Sequence, residues 1–72
     1  MEGGQGLGYW TAVVLLDRMN SALHRFQRAG DEDVRQEADV HFADYYDALV
    51  EHGVPIRYEP GLGLWMLNGT LP

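Results

Sequence analysis

Gly53-Val54-Pro55-Ile56-Arg57-Tyr58-Glu59-Pro60-Gly61-Leu62-Gly63-Leu64-Trp65-Met66-Leu67 is where the hydrophobic period of this chain changes from that of a helix to that of a strand. Val54, Ile56 and Tyr58 alternate with Pro55 and Arg57, the pattern of an edge strand that tolerates proline near its start. Glu59-Pro60-Gly61 sets proline and then glycine in the two central positions of a type II turn, with the positive φ on Gly61. Leu62 to Leu67 then supplies a return strand. The stretch predicts a β-hairpin over about 54–67.

Upstream of Gly53 the period is helical. Val34, Ala38, Phe42, Tyr45 and Leu49 fall on one face of a helix wheel. Asp33, Glu37, Asp44, Asp47 and Glu51 fall within roughly 40° of one direction on the far side, a single acidic stripe. Asp33 with Gln36 has the spacing of a capping box, and Gly53 is a natural stop, so a helix is expected over about 33–52. The two faces keep register throughout, which favours one helix over two joined by a turn at Asp39-Val40. Further back, Ala12, Leu16, Met19, Leu23 and Phe26 step by four and three, and Val13, Leu15 and Ala22 widen the stripe. Thr11 has the chemistry of an N-cap. Arg25 and Arg28 suit the negative end of the helix dipole, and Gly30 suits a C′ position, which sets a first helix at about 11–29.

The expected fold is therefore α+β: two helices packed antiparallel, followed by a hairpin that covers one open side. Residues 1–8, with four of the nine glycines, read as a flexible leader, 9–68 as a single small domain and 69–72 as a frayed tail. Gly6-Leu7-Gly8-Tyr9-Trp10 nearly repeats Gly61-Leu62-Gly63-Leu64-Trp65. A third strand beside the hairpin is one reading of that echo; coincidence in a glycine-rich chain is the other.

Size and charge exclude several functions. A 72-residue chain holds one domain, and its core supplies only about 3–5 kcal/mol. With no cysteine there are no disulfides and no thiolate zinc site to help it, so the chain is expected either to pack very economically or to associate with something else. So short a chain can hardly wall an enclosed cleft, and no catalytic set stands out. Ser21 has only His24 nearby as a base, with no orienting group. Asp44 and Asp47 lie on a solvated face where nothing would raise either pKa. His24, His41 and His52 lack a metal-ligand spacing, the nearest approach being His41 with Asp44. No enzyme, cofactor or metal is expected.

All five basic residues are arginines, and the net charge of −6 opposes both nucleic-acid phosphates and anionic membranes. No apolar run approaches 18 residues, and the N-terminus lacks the positive region of a signal peptide. Asn68-Gly69-Thr70 matches a glycosylation sequon by coincidence on this reading. A cytoplasmic location is expected.

Two stretches carry a resemblance. Leu49-Val50-Glu51-His52-Gly53-Val54-Pro55-Ile56 and Tyr58-Glu59-Pro60-Gly61-Leu62-Gly63-Leu64-Trp65-Met66-Leu67 resemble the end of winged helix-turn-helix domains. Those domains close with a helix, a turn of the form L-x-x-x-G-x-P-I, and a wing of the form Y-x-P-G-x-G-[YW]-x-L. The likeness spans residues 40–67 and fails upstream, where the family has three short helices. It implies a reduced winged helix with a recognition helix at about 41–51 and a wing at 56–67. The residues resist the implied function: a recognition helix offers Arg, Lys, Asn or Gln to the major groove, whereas this one offers Asp44, Asp47 and Glu51. Arg57 is the only cation of the presumed wing.

The acidity is also localised. Residues 31–51 hold eight of the eleven acids with Arg35 as the single base, and the rest of the chain is near neutral. A row of carboxylates on a helix is ordinarily a solvated face. Its other use is to meet a basic surface on a protein, imitating phosphates and steering encounter. Like charges at Asp33/Glu37 and Asp47/Glu51 cost the helix some stability, which favours a use. Most aromatics belong to the core; Tyr46 and Trp65 are expected to be exposed as interface anchors, and Trp10 is a candidate to cap the open end of the core. The expected function is that of a small acidic, non-catalytic regulator that binds a larger protein. Its contact residues would be Asp33, Glu37, Asp44, Asp47, Glu51, Tyr46, Arg57 and Trp65. Small phage inhibitors of polymerases and other nucleic-acid enzymes are similar in size and charge. The alternative is a winged-helix transcription regulator that binds DNA as a dimer through Arg25, Arg28, Arg35 or Arg57. A homodimer through the stripe of the first helix or the hairpin edge is a further expectation.

Overall fold

A computed structural model describes residues 8–69. It contains helix α1 (Tyr9–Arg28), helix α2 (Glu32–Glu51) and strands β1 (Ile56–Glu59) and β2 (Leu64–Leu67), which pair antiparallel as a two-stranded sheet. The expected α+β order of two helices and a hairpin is what the chain adopts, and the 32–51 segment is one unbroken helix. Residues 1–7 of the expected leader and 70–72 of the expected tail lie outside the described residues. Gly6 and Leu7 of the repeated pentapeptide do too, while its Tyr9 and Trp10 open α1 instead of forming a strand.

The helix ends differ from expectation in detail. α1 begins one turn early: Gly8 is the N-cap, extended at φ −67° and ψ 160°, and its carbonyl accepts from Ala12 N at 3.0 Å, which puts Thr11 inside the first turn. Glycine is among the residues favoured at an N-cap, although here it offers no side-chain hydrogen bond. α1 stops at Arg28 because Ala29 swings to an extended conformation, not because Gly30 turns left-handed. Asp31, rather than Asp33, caps α2, its Oδ1 accepting from Asp33 N at 2.8 Å. Gln36 then reaches Glu32 instead of closing a capping box.

The C-terminal end of α2 follows expectation and positions the hairpin. Gly53 has φ 73°, Gly53 N donates to Val50 O and Val54 N to Leu49 O, both at 3.0 Å. These are the two bonds of a Schellman motif, and its customary apolar contact is met by Val54 and Leu49, which share the buried core. The expected type II turn is absent. Gly61 is not at positive φ; Leu62 N and Gly63 N both donate to Glu59 O, and the left-handed residue is Gly63 at φ 68°. A four-residue loop, Pro60 to Gly63, thus joins strands paired from Ile56↔Leu67 to Glu59↔Leu64.

Alternation along the strands sends Ile56, Trp65 and Leu67 to the helices, where they cover a core of Ala12, Leu16, Met19, Leu49 and Val54. Leu15, Phe42, Tyr45 and Tyr46 complete it. Ala22 and Ala38 are buried as well, and such small side chains let two helices approach closely. The hairpin reaches along α1 only as far as His24, whose Nε2 donates to Gly63 O at 3.2 Å. Beyond it Phe26 and Val34, both expected in the apolar stripes, are exposed, with the Arg35 guanidinium lying 5.9 Å over the Phe26 ring. Trp10 caps nothing: it is 75% exposed and meets Tyr9 edge-on.

Candidate protein-interaction surface

Asp33, Glu37, Asp44, Asp47 and Glu51 are all solvent-exposed on α2. The ion pairs between described residues are Arg35–Glu32 and Arg57–Glu59, so none of the five carboxylates is neutralised by a described neighbour. Their row contains one side chain that the sequence reading passed over. Val40 falls at its centre on the helix wheel and is 56% exposed. Its helical position between Glu37 and Asp44 is the signal that would have found it.

The two aromatics expected at the surface are elsewhere. Tyr46 and Trp65 are half-buried and packed on the core. Trp65 is the hub of a cluster in which Tyr46, Tyr58 and Phe42 lie 5.7, 5.7 and 6.4 Å from its ring. Phe42 and Tyr46, one turn apart on α2, stack at 6.1 Å. The expectation of exposure failed because the inward side of β2 lies against both helices. Asn20 fixes that placement: Trp65 N donates to Asn20 Oδ1 at 2.7 Å, and Asn20 Nδ2 donates to Trp65 O at 2.9 Å. Asn20 had no role in the sequence reading. A poor helix former in mid-helix, at the edge of an apolar stripe, was the available hint.

Arg57 is paired inside the hairpin. Its Nη1 donates to Glu59 Oε1 at 2.6 Å, and Gly61 N donates to the other carboxylate oxygen. The Arg57 hydrogen bond, helped by the Gly61 N–H and the guanidinium charge, holds the Glu59 carboxyl below its ordinary pKa. Arg57 is therefore a turn-stabilising group in this structure, with its charge already matched.

On the side of the helix pair away from the hairpin lies an open groove of about 460 Å³ lined by Arg18, Ser21, Arg25, Glu37, His41 and Tyr45. Arg25 Nη2 donates to His41 Nδ1 at 3.2 Å. No hydrogen bond joins Ser21 to His24 or to His41 among the described residues. Nor do three His, Cys, Asp or Glu side chains converge there as metal ligands. No helix among the described residues is long and apolar enough to cross a membrane.

No protein-family model, curated protein or solved structure matches the chain. The helix–helix–hairpin order is compatible with a reduced helix-and-wing arrangement, and a third helix is absent from the described residues.

Proposed function

We propose that this chain is a cytoplasmic, non-catalytic regulator that binds a larger protein through the outward face of α2. The observation that carries the proposal is the row Asp33, Glu37, Asp44, Asp47 and Glu51, with exposed Val40 at its centre and no described cation paired to it. An interface gains from an apolar anchor ringed by charges that steer the approach. The partner chemistry that fits is a basic, nucleic-acid-binding surface, and the chain would act by occupying it. A DNA-binding winged helix is the competing class. Its recognition segment would bring Asp44, Asp47 and Glu51 to the phosphates, a strongly repulsive placement.

Affinity capture of partners with the wild-type chain and with a Val40→Ala, Asp47→Asn, Glu51→Gln variant tests the surface. The variant is expected to lose the partner, and the wild-type complex is expected to weaken steeply between 50 and roughly 300 mM salt. Equal recovery by the two proteins would remove α2 from the account. Salt-sensitive binding of duplex DNA by the isolated chain would replace it with the winged-helix reading.

A further inference from the structure

The groove side of the helix pair has a basic wall and an acidic wall. Arg18 and Arg25 stand on α1; Glu37 lines the groove from α2, and Asp44, two turns further along, borders it on the same side. Among described residues neither arginine is in an ion pair, and neither acid is. A surface divided in this way is complementary to itself after a half-turn. We infer that a second copy of this chain packs on this face, with the two-fold axis parallel to the helices, to form an antiparallel four-helix arrangement.

Charge selects the axis. A two-fold axis crossing the helices would lay α1 on α1 and set Arg18 and Arg25 of one copy against those of the other. An axis parallel to the helices lays α1 on α2 of the second copy, antiparallel and at the axial level the chain uses internally. That level is fixed by the three-residue connection Ala29–Asp31 and by Arg35 resting over Phe26. At this level four positions of α1 meet four of α2 with matching intervals of four, three and four residues. Val14 faces Ala48 of the second copy, Arg18 faces Asp44, Ser21 faces His41, and Arg25 faces Glu37. Every rung is complementary: one apolar, two of opposite charge, and one hydroxyl with imidazole. Val14 is 48% exposed in the single chain and gains an apolar neighbour.

The size is sufficient. A 20-residue helix is about 30 Å long, so two side by side present roughly 600 Å² per copy, or about 1,200 Å² in total, the lower end of specific interfaces. The inference does not rest on the proposed function, although the contact takes up Glu37 and Asp44 from the row named there; Asp33, Val40, Asp47 and Glu51 of each copy stay outside it.

Sedimentation equilibrium across micromolar to millimolar protein tests it, with circular dichroism to verify that each variant remains helical. The wild-type chain should dimerise, and more weakly at high salt. R18E/R25E and E37R/D44R should each raise the dissociation constant at least about tenfold, since like charges then face each other. Their equimolar mixture should recover association as a one-to-one heterodimer, a result that loss of folding in either variant cannot produce. A wild-type chain that stays monomeric throughout overturns the inference, as does a dimer indifferent to both reversals or a mixture that fails to associate. The milder R18Q/R25Q pair keeps the test decisive if a reversal unfolds: an unchanged dissociation constant for that pair also overturns it.

Discussion

The two helices are equal in length, 20 residues each, and opposite in employment. α1 buries Ala12, Leu16, Met19 and Ala22, lies against α2 on one side and carries the hairpin on another. α2 buries only Ala38 and Leu49 and leaves a whole face of carboxylates to solvent. The fold is thus organised around α1, and α2 is a helix whose outer half is free of packing duties. In so small a domain, that is the part of the chain whose sequence stability does not dictate.

The contrast is broken most directly at its centre. Met19→Ala removes a fully buried side chain from α1 and should cost about 2–5 kcal/mol, whereas Val40→Ala on the outer face of α2 should stay within about 0.5 kcal/mol. Urea denaturation of both variants checks the difference, and equal losses would mean that α2 is as deeply engaged as α1. Asn20→Ala comes next. It strands the Trp65 N–H and carbonyl against α1 and should cost about 1–3 kcal/mol, with a change in Trp65 fluorescence as the hairpin loosens.

How much of this was legible in advance depends on the range of the interactions. Both helices and the hairpin follow from periods of 3.6 and 2 and from Gly53, because those signals are local. The burial of Trp65 and Tyr46 was not legible, since it depends on how the hairpin docks on α1 through Asn20, 45 residues away in sequence. The hairpin turn was misread for a different reason. Pro60-Gly61 favours a type II turn locally, but the four-residue loop needs its left-handed residue at Gly63. Of the candidate surface, the five carboxylates could be placed on one face from the helix period alone. Val40 falls with them by the same period. The match of Arg57 with Glu59 was not legible either, because the two side chains come together only once the strand is formed.

Smaller effects sharpen the comparison from the side of α2. Neutralising one member of the Asp47/Glu51 pair, with Asp47→Asn, should raise stability by about 0.2–0.5 kcal/mol, visible as a small upward shift in melting temperature. A decrease would show that the carboxylate row is structural after all. The smallest effect is expected in the hairpin. The Glu59 pKa is lowered in the folded chain, so its contribution is present above the ordinary carboxylate range and is lost as pH falls through the folded value. Replacing Arg57 by Gln should return the Glu59 titration towards normal in an NMR pH series, and the stability difference between the two proteins should shrink in acid.

The pair of hydrogen bonds between Asn20 and Trp65 has a consequence for how the chain meets others of its kind in crowded solution. A two-stranded sheet has two open margins, each a template on which a foreign strand can grow. A single amide on α1 occupies both backbone groups of Trp65 in the middle of β2, so that margin is interrupted by a helix side chain. Strand addition, and any aggregation that begins with it, is thereby turned towards the margin of β1, where the charged side chains of the Arg57–Glu59 pair discourage it.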